Sequence, residues 1–178
     1  MGYARPPGAS QADFMNARLF EEEVGSWLGD FKIGSLDSST KMDWWVPGFF
    51  LDVKEKKQQL GERFAKLWPA VPREHLFVID ELSVRRAMQY QYSGYFLIRD
   101  CPMDRLFLVR VDELASTERV RANRETTPGR KKGKWLVDLR SFRQIEPGPG
   151  LLAHVLADQI DTPWKNSELL GEMDHGNV

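Results

Sequence analysis

Two aspartates and a lysine are set into an otherwise apolar stretch, Lys41-Met42-Asp43-Trp44-Trp45-Val46-Pro47-Gly48-Phe49-Phe50-Leu51-Asp52-Val53-Lys54. Pro47-Gly48 is a turn signal, and the runs on either side read as two strands, Lys41–Val46 and Phe49–Lys57. Side chains alternate between the two faces of a strand. Phe49, Leu51 and Val53 therefore share one face with Trp44 and Val46, while Phe50, Asp52 and Lys54 share the other with Asp43 and Trp45. Counting back from the turn, Val46 faces Phe49, Trp45 faces Phe50, Trp44 faces Leu51 and Asp43 faces Asp52. Directly opposed residues have Cβ atoms about 4.5–5.5 Å apart, where like charges repel. A divalent cation gripped by both carboxylates would relieve that repulsion. Lys54, two residues on, reaches a phosphate or a water from the same face. Pro-Gly favours a type II turn over the primed types of tight hairpins, and a wider turn would keep the faces but loosen the pairing. An isolated Asp-x-Lys is most often a charged strand face turned to solvent. Here the strand is apolar enough to be central, and a second acid stands opposite.

The elements around this hairpin follow from periodicity and turn residues. Ser10–Leu28 reads as a helix with Ser10 or Asp13 as N-cap and Gly29 as C-cap. Phe14, Ala17, Val24 and Leu28 form its apolar stripe, with Phe20 and Trp27 beside it. Glu21 falls within that arc; Glu22 and Glu23 point away. A core-facing glutamate costs free energy unless it is paired or binds a metal, the plain alternative being an edge residue that snorkels to water. Further on, Leu60–Leu67 is a short helix or irregular, His75–Ile79 a strand, and Glu81–Gln89 a helix that Asp80 caps. Tyr95–Arg99 and Arg105–Val111 form a strand pair, with a helical turn starting at Asp112. A basic loop precedes a last strand, Trp135–Phe142, and a terminal helix, Leu151–Ile160. One domain over residues 10–160 is expected, with a disordered arm over 1–9 and a tail over 161–178.

Composition narrows the chemistry. At 178 residues and a formal net charge of −1, the chain is neither a polycation nor long enough to suggest several domains. Cys101 is the single cysteine, so an iron–sulfur cluster or an internal disulfide is excluded on ligand count. His75, His154 and His175 lack zinc spacing and read as structural. A metal here would be a hard cation held by carboxylates. No apolar run is long enough to span a bilayer, and no signal peptide is visible, so no membrane partner is expected. Charge is uneven: Arg119, Arg121, Arg124, Arg130, Lys131, Lys132 and Lys134 face only Glu125, which suits a polyanion.

An acid on the first helix, then an isolated Asp, then Asp-x-Lys ending an apolar strand resembles the PD-(D/E)XK nuclease superfamily. Leu19-Phe20-Glu21-Glu22-Glu23-Val24 is similar to the opening helix of archaeal-type Holliday-junction resolvases. The likeness covers roughly the first 60 residues; beyond that it is an order of elements. It implies an α/β, restriction-endonuclease-like fold, a mixed central sheet of about five strands with helices on both sides. It makes Asp43 the motif aspartate, Asp52 the third-position acid, Lys54 the motif lysine and Glu21 the helix glutamate. It implies Mg²⁺, with Mn²⁺ as substitute, held by Asp43, Asp52 and Glu21. Met42 stands where many members have proline, and Asp52 replaces the commoner Glu. The implied activity is metal-dependent phosphodiester hydrolysis of branched or structured DNA by a homodimer in the cytoplasm of a prokaryotic cell or phage-infected host. A restriction-type or exonuclease domain, or a nuclease-fold module that only binds DNA or protein, are the alternatives. DNA-contact candidates are Lys56, Lys57, Gln58, Trp45, Arg130, Lys131, Lys132 and Lys134. The basic loop reads equally as a solvated insertion, and Trp44, on the Leu51 face, as core.

Overall fold

The computed structural model describes residues 9–31, 42–122, 124–127 and 130–159. Apart from Ala9, which opens the first helix, the expected arm and tail lie outside the described residues. Helix α1 spans Ala9–Leu28, so Ser10 and Asp13 lie within it rather than capping it. It ends at Gly29, whose φ of +56° turns the chain out of the helix at little steric cost.

The main sheet is mixed α/β in construction and has five strands in the order β1-β2-β4-β5-β10: Trp44–Val46, Phe49–Lys56, Gly94–Asp100, Arg105–Arg110 and Arg143–Ile145. The hairpin register is the one counted from the turn: Val46 faces Phe49, Trp45 faces Phe50 and Trp44 faces Leu51. Gly48 takes the left-handed φ of +97° that a Pro-Gly turn needs. β2 and β4 run parallel, and the other pairs are antiparallel. A parallel pair requires a crossover. Helix α2 (Glu62–Leu67), strand β3 (Leu76–Asp80) and helix α3 (Glu81–Ala87) supply it.

Both faces of the sheet are covered, as a near-continuous apolar strand such as β4 requires. On one face Phe20, Val24 and Leu28 of α1 pack with Phe49, Leu51, Val53 and Leu97, joined by Leu151 and Val155 from a helix over 151–159. On the other, Phe96, Ile98, Phe107 and Val109 meet Val84 and Ala87 of α3 and Val111 and Leu114 of helix α4 (Val111–Ser116). Phe77, Ile79 and Val137 complete that second core from a separate three-stranded sheet. Its order is β3-β9-β6, with β6 at Arg119–Arg121 and β9 at Lys134–Asp138. The back of this small sheet holds Leu76 and Leu136 against Phe64 and Trp68.

Three sequence expectations are corrected here. The basic loop is β6 followed by a hairpin, β7 (Arg124–Thr127) with β8 (Arg130–Lys132). Trp135–Phe142 is not one strand: β9 stops at Asp138, whose carboxylate accepts from the Arg140 N–H at 3.0 Å and starts a turn. The chain then re-enters the main sheet as β10, beside β5. Asp80 does not cap α3 with its side chain; it pairs with Lys134 at 2.6 Å.

Candidate active site

The β1–β2 ladder ends at Trp44, which leaves the next N–H of β2 on that side, Val53, without a strand partner. A buried N–H must find an acceptor. Asp43 supplies it: its Oδ2 accepts from Val53 N at 2.6 Å, and its own N–H donates to the Leu51 carbonyl at 2.9 Å. The Asp43 carboxylate is thus fixed by the frayed end of a ladder, half-buried and beside Asp52.

Asp52 is 2% exposed. Burial, with the Asp43 carboxylate adding to it, pushes the Asp52 carboxyl up to about 7 against the pull of Lys54. Lys54 donates through Nζ to Asp52 Oδ1 and, at 3.3 Å, to the Val53 carbonyl. Burial alone would lower the Lys54 pKa, but Asp52, Asp43 and Glu21 outweigh it and hold the proton on the ammonium. Glu21 is half-buried, and its carboxyl is raised by burial and then by Asp43. The four sequence candidates, Glu21, Asp43, Asp52 and Lys54, therefore share one electrostatic neighbourhood. Glu22 and Glu23 are exposed, as the helical arc requires.

Two residues not singled out as functional bring α1 to this place. The Trp44 indole Nε1 donates to the Glu21 carbonyl at 3.1 Å. Its ring lies over Gly25, where an added Cβ would come within 2.6 Å of it. Only glycine admits this approach. A tryptophan opposite a glycine on an amphipathic helix is the sequence signal, and it becomes readable only once strand and helix are known to touch. Arg99 of β4 reinforces the dock, pairing with Glu23 at 2.8 Å and lying over the Phe20 ring at 4.9 Å.

Asp43 and Asp52 offer adjacent carboxylate oxygens with more negative charge than Lys54 balances, and that donor set fits a hard divalent cation. The fit is that of a two-carboxylate site. No group of three or more His, Cys, Asp or Glu is gathered closely enough to hold a metal ion among the described residues. Glu21 acts on Asp43 and Lys54 by charge.

The DNA-contact candidates divide. Lys56 is 4% exposed, paired with Asp100 at 3.0 Å and donating to the Glu74 carbonyl at 2.6 Å, so it is a buried lock and not a phosphate contact. Lys134 is held by Asp80. Arg121 is held by Glu81 at 3.0 Å, and Arg119 stacks on Trp135 at 4.1 Å, so neither projects freely as expected of a basic loop. Lys57 and Gln58 are exposed just past β2. Arg130, Lys131 and Lys132 form β8, and their side chains lie outside the described residues. Trp45 is half-buried on the Asp52 face, and Trp44 packs against the first core. Cys101 is exposed and free. No helix among the described residues is long and apolar enough to cross a membrane.

The sequence matches no family model and no curated protein. Among solved structures, the chain is similar to D212, a nuclease from a fusselovirus, over 89% of this chain and 96% of that one, at 11% identity and a TM-score of 0.46. A superposition that loose carries no functional argument.

Proposed function

We propose that this chain is a metal-dependent nuclease of PD-(D/E)XK type that hydrolyses phosphodiester bonds in DNA, with Mg²⁺, or Mn²⁺ in its place, at Asp43 and Asp52. One observation carries the reading: two adjacent carboxylates, one of them buried, with a protonated lysine on the same strand face and a helix glutamate nearby. A structural ion pair needs one acid per base. Asp43 caps Val53 N through one oxygen, and a cation is what would use the charge that this bond leaves unbalanced.

When bound, the cation supplies charge neutralisation at the phosphate and acidifies the attacking water. Asp43 holds one carboxylate oxygen fixed on Val53 N and presents the other. Lys54, kept as an ammonium, stabilises charge developing on the phosphate or orients the water; it is no general base. Glu21 orients the water shell from α1. Branched or structured DNA is the substrate class to try first, as a homodimer, because two symmetric nicks need two sites.

Cleavage of labelled duplex, single-stranded and four-way-junction DNA with Mg²⁺ or Mn²⁺ tests this against Lys54→Ala and Asp52→Ala. Metal-dependent cleavage by wild type, lost in both variants, is the expected result. The preferred substrate separates junction resolution from restriction-type cutting and from digestion at ends. Gel filtration that finds only monomer well above working concentrations would count against the dimer.

A second reading, a nuclease-fold module that binds without cutting, is favoured by Lys54 already sitting on Asp52 and by the lack of a three-acid group among the described residues. Thermal unfolding separates the two. A cation site gains stability with Mg²⁺ by mass action, and Asp43→Asn abolishes the gain; no gain in the wild type selects the binding module.

A further inference from the structure

The face of β2 that carries Asp52 and Lys54 continues, two residues earlier, into a row of aromatic rings. Phe50 lies directly opposite Trp45 on β1, with ring centroids 6.4 Å apart and planes within 13° of parallel. On its other side Phe50 meets Tyr90, from the turn Met88–Ser93, at 4.2 Å and 35°. Gly94 lets Tyr90 approach, since an added Cβ there would stand 3.0 Å from the Tyr90 Cβ. All three rings are half-buried. Phe50 and Tyr90 lean on the second core, whereas Trp45, on the edge strand, packs against none of the three cores among the described residues. Core packing accounts for the first two rings, and among the described residues Trp45 is tied in by its stack on Phe50.

The row crosses the strands one two-residue step from Asp52, about 7 Å along β2, a distance that one nucleotide spans. Bases inside a continuous duplex already stack on each other and offer no free face. An unpaired base offers one, and aromatic side chains hold it without regard to its identity. We propose that Trp45, Phe50 and Tyr90 form a stacking shelf for one unpaired nucleotide of a DNA strand whose neighbouring phosphate lies at Asp52 and Lys54. The substrate class is then DNA with an unpaired nucleotide at the cut: a single strand, flap, gap or branch. The placing of the phosphate rests on the nuclease reading; the stacking of the base does not.

Binding of a labelled thymidine oligomer and of a blunt duplex, read by fluorescence anisotropy in EDTA and again with Mg²⁺, tests the shelf. Trp45→Ala is expected to weaken single-strand binding about tenfold and leave duplex binding unchanged, and Trp45→Phe to restore most of the loss. Equal loss on both substrates, no loss on either, or a wild type that does not bind the single strand overturns the shelf. Thermal unfolding of the variants checks that they fold, and Tyr90→Ala repeats the test from the other end of the row. If Lys54-dependent cleavage is found while Trp45→Ala treats both substrates alike, the shelf fails and the nuclease stands. If nothing is cleaved while the stacking pattern holds, the nuclease reading fails and the shelf stands.

Discussion

Two lysines on one face of β2, Lys54 and Lys56, meet opposite fates. Lys56 faces Asp100 across the parallel ladder and is closed in with it. Arg105 also reaches Asp100, at 2.5 Å, and shares the Glu74 carbonyl with Lys56 at 3.1 Å. One carboxylate there answers an ammonium and a guanidinium, Asp100 is fully buried, and the Glu74 carbonyl takes one further bond from each cation. Lys54 faces Ile98 across the same ladder and has to answer Asp52, Asp43 and Glu21. The first cluster sets two cations on one acid and is shut, and burial pulls the Lys56 pKa below the usual lysine value; the second has surplus acid and a lysine side chain 31% exposed. A lysine's chemistry is set by how many acids it must serve, and the strand it sits on does not settle that.

The sharpest way to break the contrast is to unbalance the closed cluster. Asp100→Ala leaves Lys56 buried beside Arg105 with no carboxylate, and a buried pair broken from one side costs about 3–5 kcal/mol. Urea unfolding of the variant should show a loss of that size; a loss within error would mean that Lys56 escapes to water and the lock is not structural. The open cluster should answer the other way. Lys54→Ala is expected to lower cleavage about 10²–10³-fold while the protein stays folded, and single-turnover rates on one substrate measure it. A large loss of stability with unchanged turnover would reverse the roles assigned to the two lysines.

The hairpin part of the open cluster was legible in the sequence because what builds it is local, whereas the dock of α1 that brings Glu21 to it was not. Pro47-Gly48 fixes a two-residue turn, alternation fixes the faces, and the counted register holds as far as Trp44 with Leu51; Asp43, counted opposite Asp52, lies one residue past the end of the ladder. Glu21 came from a helical arc, which is local too. The closed cluster was not legible. Lys56 reads as one more strand-end cation until Asp100 arrives across a parallel ladder, and parallel pairing leaves no turn to count from. Partners distant in sequence also hid β6 and β10, although both pair antiparallel. Arg119-Val120-Arg121 and Arg143-Gln144-Ile145 carry one apolar residue each, and what makes them strands is β9 and β5 lying alongside. Trp135 and Glu81, which absorb the charge of Arg119 and Arg121, are likewise distant in sequence.

A smaller perturbation moves the helix side of the open cluster. Gly25→Ala puts a methyl group within 2.6 Å of the Trp44 ring, and overpacking of this kind costs about 1–3 kcal/mol. The added Cβ should push α1 outward and carry Glu21 away from Asp43. Cleavage should therefore fall by more than stability explains, with Mg²⁺ affinity weakened. Trp44→Phe removes the Nε1–H donor to the Glu21 carbonyl together with part of the indole over Gly25, so it loosens the dock where Gly25→Ala crowds it. Activity that follows stability alone in both variants would reduce the dock to a packing contact.

The smallest effect lies in the metal-free protein and turns on pH. Because Asp52 is raised to about 7 in the fold, the unfolded chain releases that proton first. The folded state then binds more protons from the usual aspartate range near 4 up to about 7, so stability falls as pH rises through that window. Repulsion between Asp43 and Asp52 exists only where both are ionised. Asp43→Asn keeps an oxygen for Val53 N and removes that repulsion. At pH 8 without metal it should stabilise the protein by on the order of 1 kcal/mol at most, and at pH 5 the gain should vanish. Mg²⁺ should reverse the sign at pH 8 by stabilising only the wild type. Denaturation of both proteins at the two pH values, with and without Mg²⁺, reads all of this. A metal-free Asp43→Asn that is less stable than wild type at pH 8 would mean that the Val53 bond needs the full carboxylate charge, making Asp43 a structural anchor first and a ligand second.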